Sequence, residues 1–134
     1  MGSTVTRAHW LLLVIALATI DATTRLALHT DAWAWHERQS DAWRVGGGIT
    51  VLALAVAAML PVGLARIPLA YALIGVAGNV ADSLDGQVAN PFIIQSSSGL
   101  VAFNFADVCL LGSIATAALI ALAWLARASW RRLV

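Results

Sequence analysis

The sequence contains no lysine, one cysteine and few charged residues of either sign. Charged residues make up 11% of the 134-residue chain, whereas 60% of its residues are hydrophobic. This composition excludes a soluble globular domain and a disordered chain, because both classes keep far more charge. The net charge of +1 leaves no basic surface for nucleic acid. Because Cys109 is the only cysteine, no disulfide can form within the chain.

Most of the sequence consists of long apolar blocks. A helix of about 20 apolar residues crosses a bilayer core of about 30 Å, and four such blocks occur, at residues 9–28, 46–65, 67–84 and 100–126. No signal-peptide cleavage pattern follows the first block, so we expect it to remain as a span. The sequence therefore predicts an all-α integral membrane protein: one domain over residues 1–134, built as a bundle of four transmembrane helices.

The distribution of arginine predicts the orientation of this bundle. Five of the eight arginines lie near the termini or in the short connection between the second and third spans: Arg7, Arg66, Arg127, Arg131 and Arg132. Since arginine marks the cytoplasmic side, we expect both termini there and the two longer connections outside. In the first outer connection, Trp33 and Trp35 alternate with smaller residues. This alternation suits a short β-strand or an amphipathic piece lying on the membrane surface.

Six polar side chains interrupt the spans, and each is a candidate site residue because burial in a membrane is costly for such groups. By helical rise, all six lie within roughly 12 Å of the outer surface. Two pairs have i, i+3 spacing and so share a helix face, which predicts a single polar cluster at the outer end of the bundle. The six residues are Asp21, Arg25, Asn79, Asp82, Asn104 and Asp107.

The residue types leave more than one chemistry open. Asp82 and Asp107 come from different spans, and paired carboxylates can activate water for attack on a peptide carbonyl. A proton or cation relay would use the same groups, and asparagines in spans also serve as hydrogen-bonded links between helices. For Asp21 and Arg25, at i, i+4, a structural ion pair is the simpler interpretation. The three histidines lack ligand spacing, so we predict no metal site and no cofactor.

Several motifs at these positions resemble those of the lipoprotein signal peptidases, also called signal peptidase II. They are Gly75-x-x-Gly78-Asn79-x-x-Asp82, then Gly86-x-Val88, then Phe103-Asn104-Phe105-Ala106-Asp107. Asp21 with Arg25 four positions later is similar to the first-helix element of that family. The four-span topology with both ends inside is also shared.

The resemblance implies an aspartic endopeptidase that removes signal peptides from lipid-modified prolipoproteins in the bacterial plasma membrane, with its site toward the outer face. It assigns one catalytic aspartate to Asp107, whereas the second catalytic position falls on Asn90. Ser83 likewise stands where the family has arginine. An asparagine cannot act as a general acid or base, so the predicted dyad is degenerate unless Asp82 substitutes for it. Asn79, Asn104, Asp21 and Arg25 then become supporting or substrate-binding residues.

Three functional hypotheses follow from these observations. The first is a divergent but active peptidase that uses Asp107 with Asp82 or with the Asn90 region. The second is a non-catalytic relative that binds membrane lipid, a lipid-modified prolipoprotein or another transmembrane segment. The third and most remote is a small proton-coupled transporter that uses the same acids.

Overall fold

Four α-helices dominate a computed structural model of the chain, which describes residues 6–27, 34–37, 41–60, 62–84, 87–97 and 99–133. Each helix is long and apolar enough to span a membrane, the third together with a preceding 3₁₀ turn. The expected set of four membrane-spanning helices is thus confirmed in length and composition. The helices are α1 (Arg7–Ala27), α2 (Asp41–Met59), α3 (Arg66–Asp82, after the turn Gly63–Ala65) and α4 (Phe105–Leu133).

Four short strands lie between the helices and form two antiparallel pairs. β1 (Ala34–Glu37) follows α1 and pairs with β2 (Gln87–Asn90), which follows α3. β3 (Phe92–Ser96) and β4 (Gly99–Phe103) form a hairpin that leads directly into α4. Of the two alternatives expected after the first span, a short strand or an amphipathic piece, the strand is present, whereas β2 and the hairpin were not predicted.

The pairing of β1 with β2 also fixes the direction of the helices. Because these strands follow α1 and α3, the carboxyl ends of α1 and α3 lie at the same end of the bundle. Arg44 near the start of α2 donates a hydrogen bond to the carbonyl of Ser83 just after α3, 2.9 Å away, so α2 begins at that end. The helices consequently alternate in direction, and all four strands belong to one end, here called the strand end.

Helices α2 and α4 differ from the sequence prediction at both ends, and α4 ends at Leu133 where the prediction was 126. Helix α2 begins at Asp41 and ends at Met59, whereas the prediction was 46–65; a proline at position 61 disfavours helix in the residue before it. Helix α4 begins at Phe105 and not near position 100, because residues 99–103 form β4. The apolar run before α4 has no periodicity that separates a strand from a helix, and its pairing with β3 decides between them.

Helix α3 is the centre of the bundle and packs against α1, α2 and α4. Small side chains and glycines on α3 permit this, since close backbone approach is the main source of helix association in membranes. Large apolar side chains on the outer surfaces of α1, α2 and α4 are exposed, as suits helices surrounded by lipid. Among the described residues, the main cluster of buried apolar side chains is small: Trp10, Leu17, Ala58, Ala70, Ile74 and Cys109.

Arg66 has a structural task in addition to its predicted place in a short connection. It begins α3 and is 9% exposed. Its guanidinium donates to the carbonyls of Ala58 at 3.4 Å and Leu60 at 3.1 Å. These carbonyls belong to the carboxyl end of α2, where backbone acceptors lack partners within the helix. Arg66 thus caps α2 and joins it to α3.

Some sequence predictions fall outside the described part of the chain. Trp33 is among the residues that are not described, and of Trp35 only the strand backbone is described. The acids Asp31 and Asp85 and the motif glycine Gly86 also lie outside the described residues.

Candidate functional site

The side chain of Asn79 on α3 is the centre of a hydrogen-bond network between α3 and α4. Its amide nitrogen donates to Asp107 Oδ1 at 3.0 Å and to the carbonyl of Gly75 at 3.1 Å. Its amide oxygen accepts a bond from Asn104 Nδ2 at 3.1 Å. Every polar atom of this side chain, which is 3% exposed, therefore has a partner. Such satisfaction is what a buried amide requires in an apolar environment.

Asn104 and Asp107 also bond to each other, as a capping box at the start of α4. The Asn104 side-chain oxygen accepts from the backbone N–H of Asp107 at 3.0 Å, and Asp107 Oδ2 accepts from the backbone N–H of Asn104 at 3.1 Å. Asn104 is the residue before the helix and Asp107 is its third residue, which are the positions this motif uses. Asp107 is thereby held at the positive end of the α4 dipole.

Two glycines on α3 bring α4 and α1 close enough for these contacts. A Cβ atom at Gly75 would lie 2.8 Å from the carbonyl oxygen of Ala106 on α4. At Gly78 it would lie 2.9 Å from both Ala106 Cβ and Asp21 Oδ2 on α1. Real Cβ atoms do not approach other atoms so closely, so neither position has room for a side chain. Both glycines belong to the motif on which the family resemblance depends.

On the other side of Gly78, three charged side chains form an ion-paired group between α1 and α3. Arg25 Nε lies 3.0 Å from Asp21 Oδ2, and the same guanidinium contacts an oxygen of Asp82. The three side chains are mostly buried: that of Arg25 is 17% exposed, that of Asp21 11% and that of Asp82 12%. A cavity of about 310 Å³ lies beside this group and is lined by Asp21, Ala22, Arg25, Ala81 and Asp82.

The predicted polar cluster is therefore two networks that meet at Gly78. Asn79 bonds to Asp107 on α4, whereas Asp82 pairs with Arg25 on α1. The i, i+3 spacing of Asn79 and Asp82 placed them on one broad face of α3, and that face lies at the groove where α1 and α4 both pack. The spacing of residues along one helix does not indicate which neighbouring helix each side chain contacts.

Asn90 is the last residue of β2 and is 3% exposed. Among the described residues, its side-chain oxygen has no hydrogen-bond partner. Phe92, two residues later, pairs with Phe103 across the hairpin, and the residue after Phe103 is Asn104, the cap of α4. Two residues of strand span about 7 Å, so Asn90 lies near the amino end of α4.

Arg44 and Ser83 were not recognised as site-forming residues from sequence. Ser83 is fully buried, its hydroxyl donates to the Val80 carbonyl at 2.8 Å, and its own carbonyl accepts from Arg44. Arg44 also pairs with Asp41 at 3.0 Å. The sequence shows an arginine at the start of an apolar span, but it does not indicate that the hydrogen-bond partner of this arginine lies 39 residues away.

No three His, Cys, Asp or Glu side chains in the described ranges form a group that could hold a metal ion. The site contains a carboxylate held by two asparagines and an ion-paired group across Gly78. It also contains the buried amide oxygen of Asn90, which has no partner in the described part of the chain. No protein-family model, curated protein or solved structure matches the chain.

Proposed function

We propose that the chain is a lipoprotein signal peptidase-like membrane protein that binds a lipid-modified transmembrane segment at the strand end of α3 and α4 without cleaving it. The observation that carries the proposal is Asn90, which is buried near the amino end of α4 and whose amide oxygen has no partner among the described residues. A buried carbonyl oxygen without a partner costs about 1–3 kcal/mol. A ligand N–H that bonds to this oxygen would recover that cost, so the side chain suits peptide binding.

Among the described residues, no second carboxylate lies free beside Asp107, which supports binding over cleavage. An aspartic mechanism needs two carboxyl groups around one water, one as base and one as acid. Asp107 supplies one such group, and Asn90 stands in the second position. Asp82, which could substitute for it, is ion-paired to Arg25 on α1. The same ion pair and the capping role of Asp107 also weigh against a proton-coupled transporter, which would need acids free to exchange protons.

Within this proposal the strand end faces the outside of a bacterial plasma membrane, and both termini face the cytoplasm. Support comes from the arginines near both chain ends, which mark the cytoplasmic side of membrane proteins. A lipid-modified segment would reach the site from the outer leaflet, beside α3 and α4.

The deciding experiment compares the native chain with Asp107→Asn, with Asn90→Asp and with Asn90→Asp/Asp107→Asn, each reconstituted with a synthetic diacylglyceryl-modified prolipoprotein peptide. We expect the native chain to bind the peptide and release no signal peptide. Asn90→Asp should gain cleavage, because it completes the dyad, and the double variant should lose it again. An unlipidated peptide of the same sequence is the matched control for binding.

The outcomes separate the hypotheses. Cleavage by the native chain that is lost in Asp107→Asn would replace this proposal with an active peptidase. If the native chain shows no preference for the lipidated peptide and Asn90→Asp does not cleave, the relationship to signal peptidases is wrong.

A further inference from the structure

The β3–β4 hairpin exposes large apolar side chains on a part of the protein that is not a membrane-spanning helix. Ile94 is 56% exposed and Leu100 is 72% exposed, and Ile93 and Val101 are exposed to a similar degree. Hairpins exposed to water normally carry charged side chains along their strands, because bare apolar strands aggregate. No charged residue occurs anywhere from Gln87 to Ala106.

The exposed apolar side chains lie on both faces of the hairpin. In the observed register Ile94 pairs with Val101, and Gln95 pairs with Leu100. Side chains alternate between faces along a strand, so Ile94 and Val101 point to one face and Ile93 and Leu100 to the other. A protein partner would cover one of these faces. A fluid apolar medium covers both.

The backbone limits how deep the hairpin can lie. A two-stranded sheet has two open edges whose N–H and C=O groups need polar partners, and such edges do not occur in the hydrocarbon core. The boundary between headgroups and acyl chains supplies both kinds of contact within about 5–10 Å of depth. The hairpin joins directly to the amino end of α4, whose outer surface is itself apolar and exposed. Lipid that surrounds α4 would therefore also reach the hairpin.

We propose that the β3–β4 hairpin is embedded in the lipid leaflet at the strand end, at the boundary between headgroups and acyl chains, with acyl chains against both of its faces. The hairpin, which directly precedes the capped start of α4, is then itself in contact with lipid. This proposal does not depend on the signal peptidase relationship, since it follows from exposure, register and charge alone.

Accessibility of spin labels in phosphatidylcholine nanodiscs tests the proposal. The native cysteine is removed by Cys109→Ala. In this background a nitroxide label is attached at Ile94→Cys or at Leu100→Cys, one on each face of the hairpin. Ile114→Cys on the exposed side of α4 is the lipid control, and Asp41→Cys, whose native side chain is 89% exposed at the start of α2, is the water control. We expect both hairpin labels to collide more with oxygen than with nickel ethylenediaminediacetate, as the Ile114 label does.

If a hairpin label collides with the nickel reagent as often as the Asp41 label does, the hairpin lies in water and the proposal is wrong. A label protected from both reagents would overturn it too, by showing that protein covers that face.

A second measurement on the unmodified chain avoids any dependence on the folding of the variants. Phosphatidylcholine with a diazirine in its acyl chain is photoactivated in the same nanodiscs, and peptides are analysed by mass spectrometry. We expect adducts on residues 92–103 as well as on α4. Adducts on α4 with none on the hairpin would contradict lipid embedding.

Discussion

The amide nitrogen of Asn79 donates a hydrogen bond to Asp107 Oδ1 across the interface of α3 and α4, at 3.0 Å. Both carboxylate oxygens of Asp107 accept, Oδ1 from Asn79 and Oδ2 from the backbone N–H of Asn104. Once Asn79 donates there, its oxygen is available to accept from Asn104, as is observed. The Asp107 carboxylate thus fixes the orientation of the Asn79 and Asn104 amides and also caps α4. Asp107 has a structural role whatever reaction it supports.

Replacing Asp107 by asparagine should destabilise the bundle. An amide at this position offers one acceptor atom where two N–H groups, from Asn79 and from the Asn104 backbone, now bond to two carboxylate oxygens. One donor would be left without a partner, at a cost of about 1–3 kcal/mol. Thermal unfolding in detergent, followed by tryptophan fluorescence, measures the loss. Asp41→Asn, at an exposed acid in the first turn of α2, is the control and should change stability by less than about 0.5 kcal/mol. Equal effects of both substitutions would contradict the network.

Removal of the guanidinium between Asp21 and Asp82 should be more damaging. In Arg25→Leu two mostly buried carboxylates lose their cation, and breaking a buried ion pair from one side costs about 3–5 kcal/mol. The triple variant Arg25→Leu/Asp21→Asn/Asp82→Asn removes the charges together and should recover most of the loss. Arg127→Gln, at an exposed arginine of α4, is the control. If the triple variant is no more stable than Arg25→Leu, electrostatic compensation is not what the arginine provides.

Gly78→Ala tests the close packing on which both networks depend. The added methyl group would meet Ala106 Cβ and the Asp21 carboxylate at 2.9 Å, so α1 or α4 must move away. Overpacking of this kind typically costs about 1–3 kcal/mol. Gly48→Ala is the matched control, because its methyl group would meet no atom within 4 Å and alanine favours the helix. We expect the control to be neutral or slightly stabilising in the same unfolding assay; a neutral Gly78→Ala would refute the close approach.

Asn90→Leu should separate stability from binding. The leucine removes a buried amide oxygen that has no partner among the described residues, so the free energy of unfolding should stay the same or rise by about 1 kcal/mol. Capture of the lipid-modified peptide should fall at least about tenfold, equivalent to about 1.4 kcal/mol of binding free energy. Unfolding curves and a peptide pull-down give the two readouts. A large loss of stability would mean that Asn90 supports the fold and not a ligand.

Parts of the site could be anticipated from residue types alone. The i, i+4 spacing of Asp21 and Arg25 predicted their ion pair, which is present at 3.0 Å. A single polar cluster was predicted; Asn79, Asn104 and Asp107 do bond to one another, whereas Asp82 pairs with α1. The partner of Asp82, the cap formed by Asn104 and the bond from Arg44 to Ser83 could not be anticipated, because each depends on which helices are neighbours and at what height.

The amino-acid sequence alone predicted four helices long and apolar enough to span a membrane, because segment length and mean hydropathy depend only on residues that are neighbours in the sequence. Tertiary structure decided what local patterns leave open. It made residues 99–103 a strand, because β3 supplies the hydrogen bonds that a helix would otherwise supply for itself. It also divided the polar residues into two networks, because Gly78 lets α1 and α4 approach α3 from both sides. Contacts between distant segments carry that information, and no local window of sequence contains it.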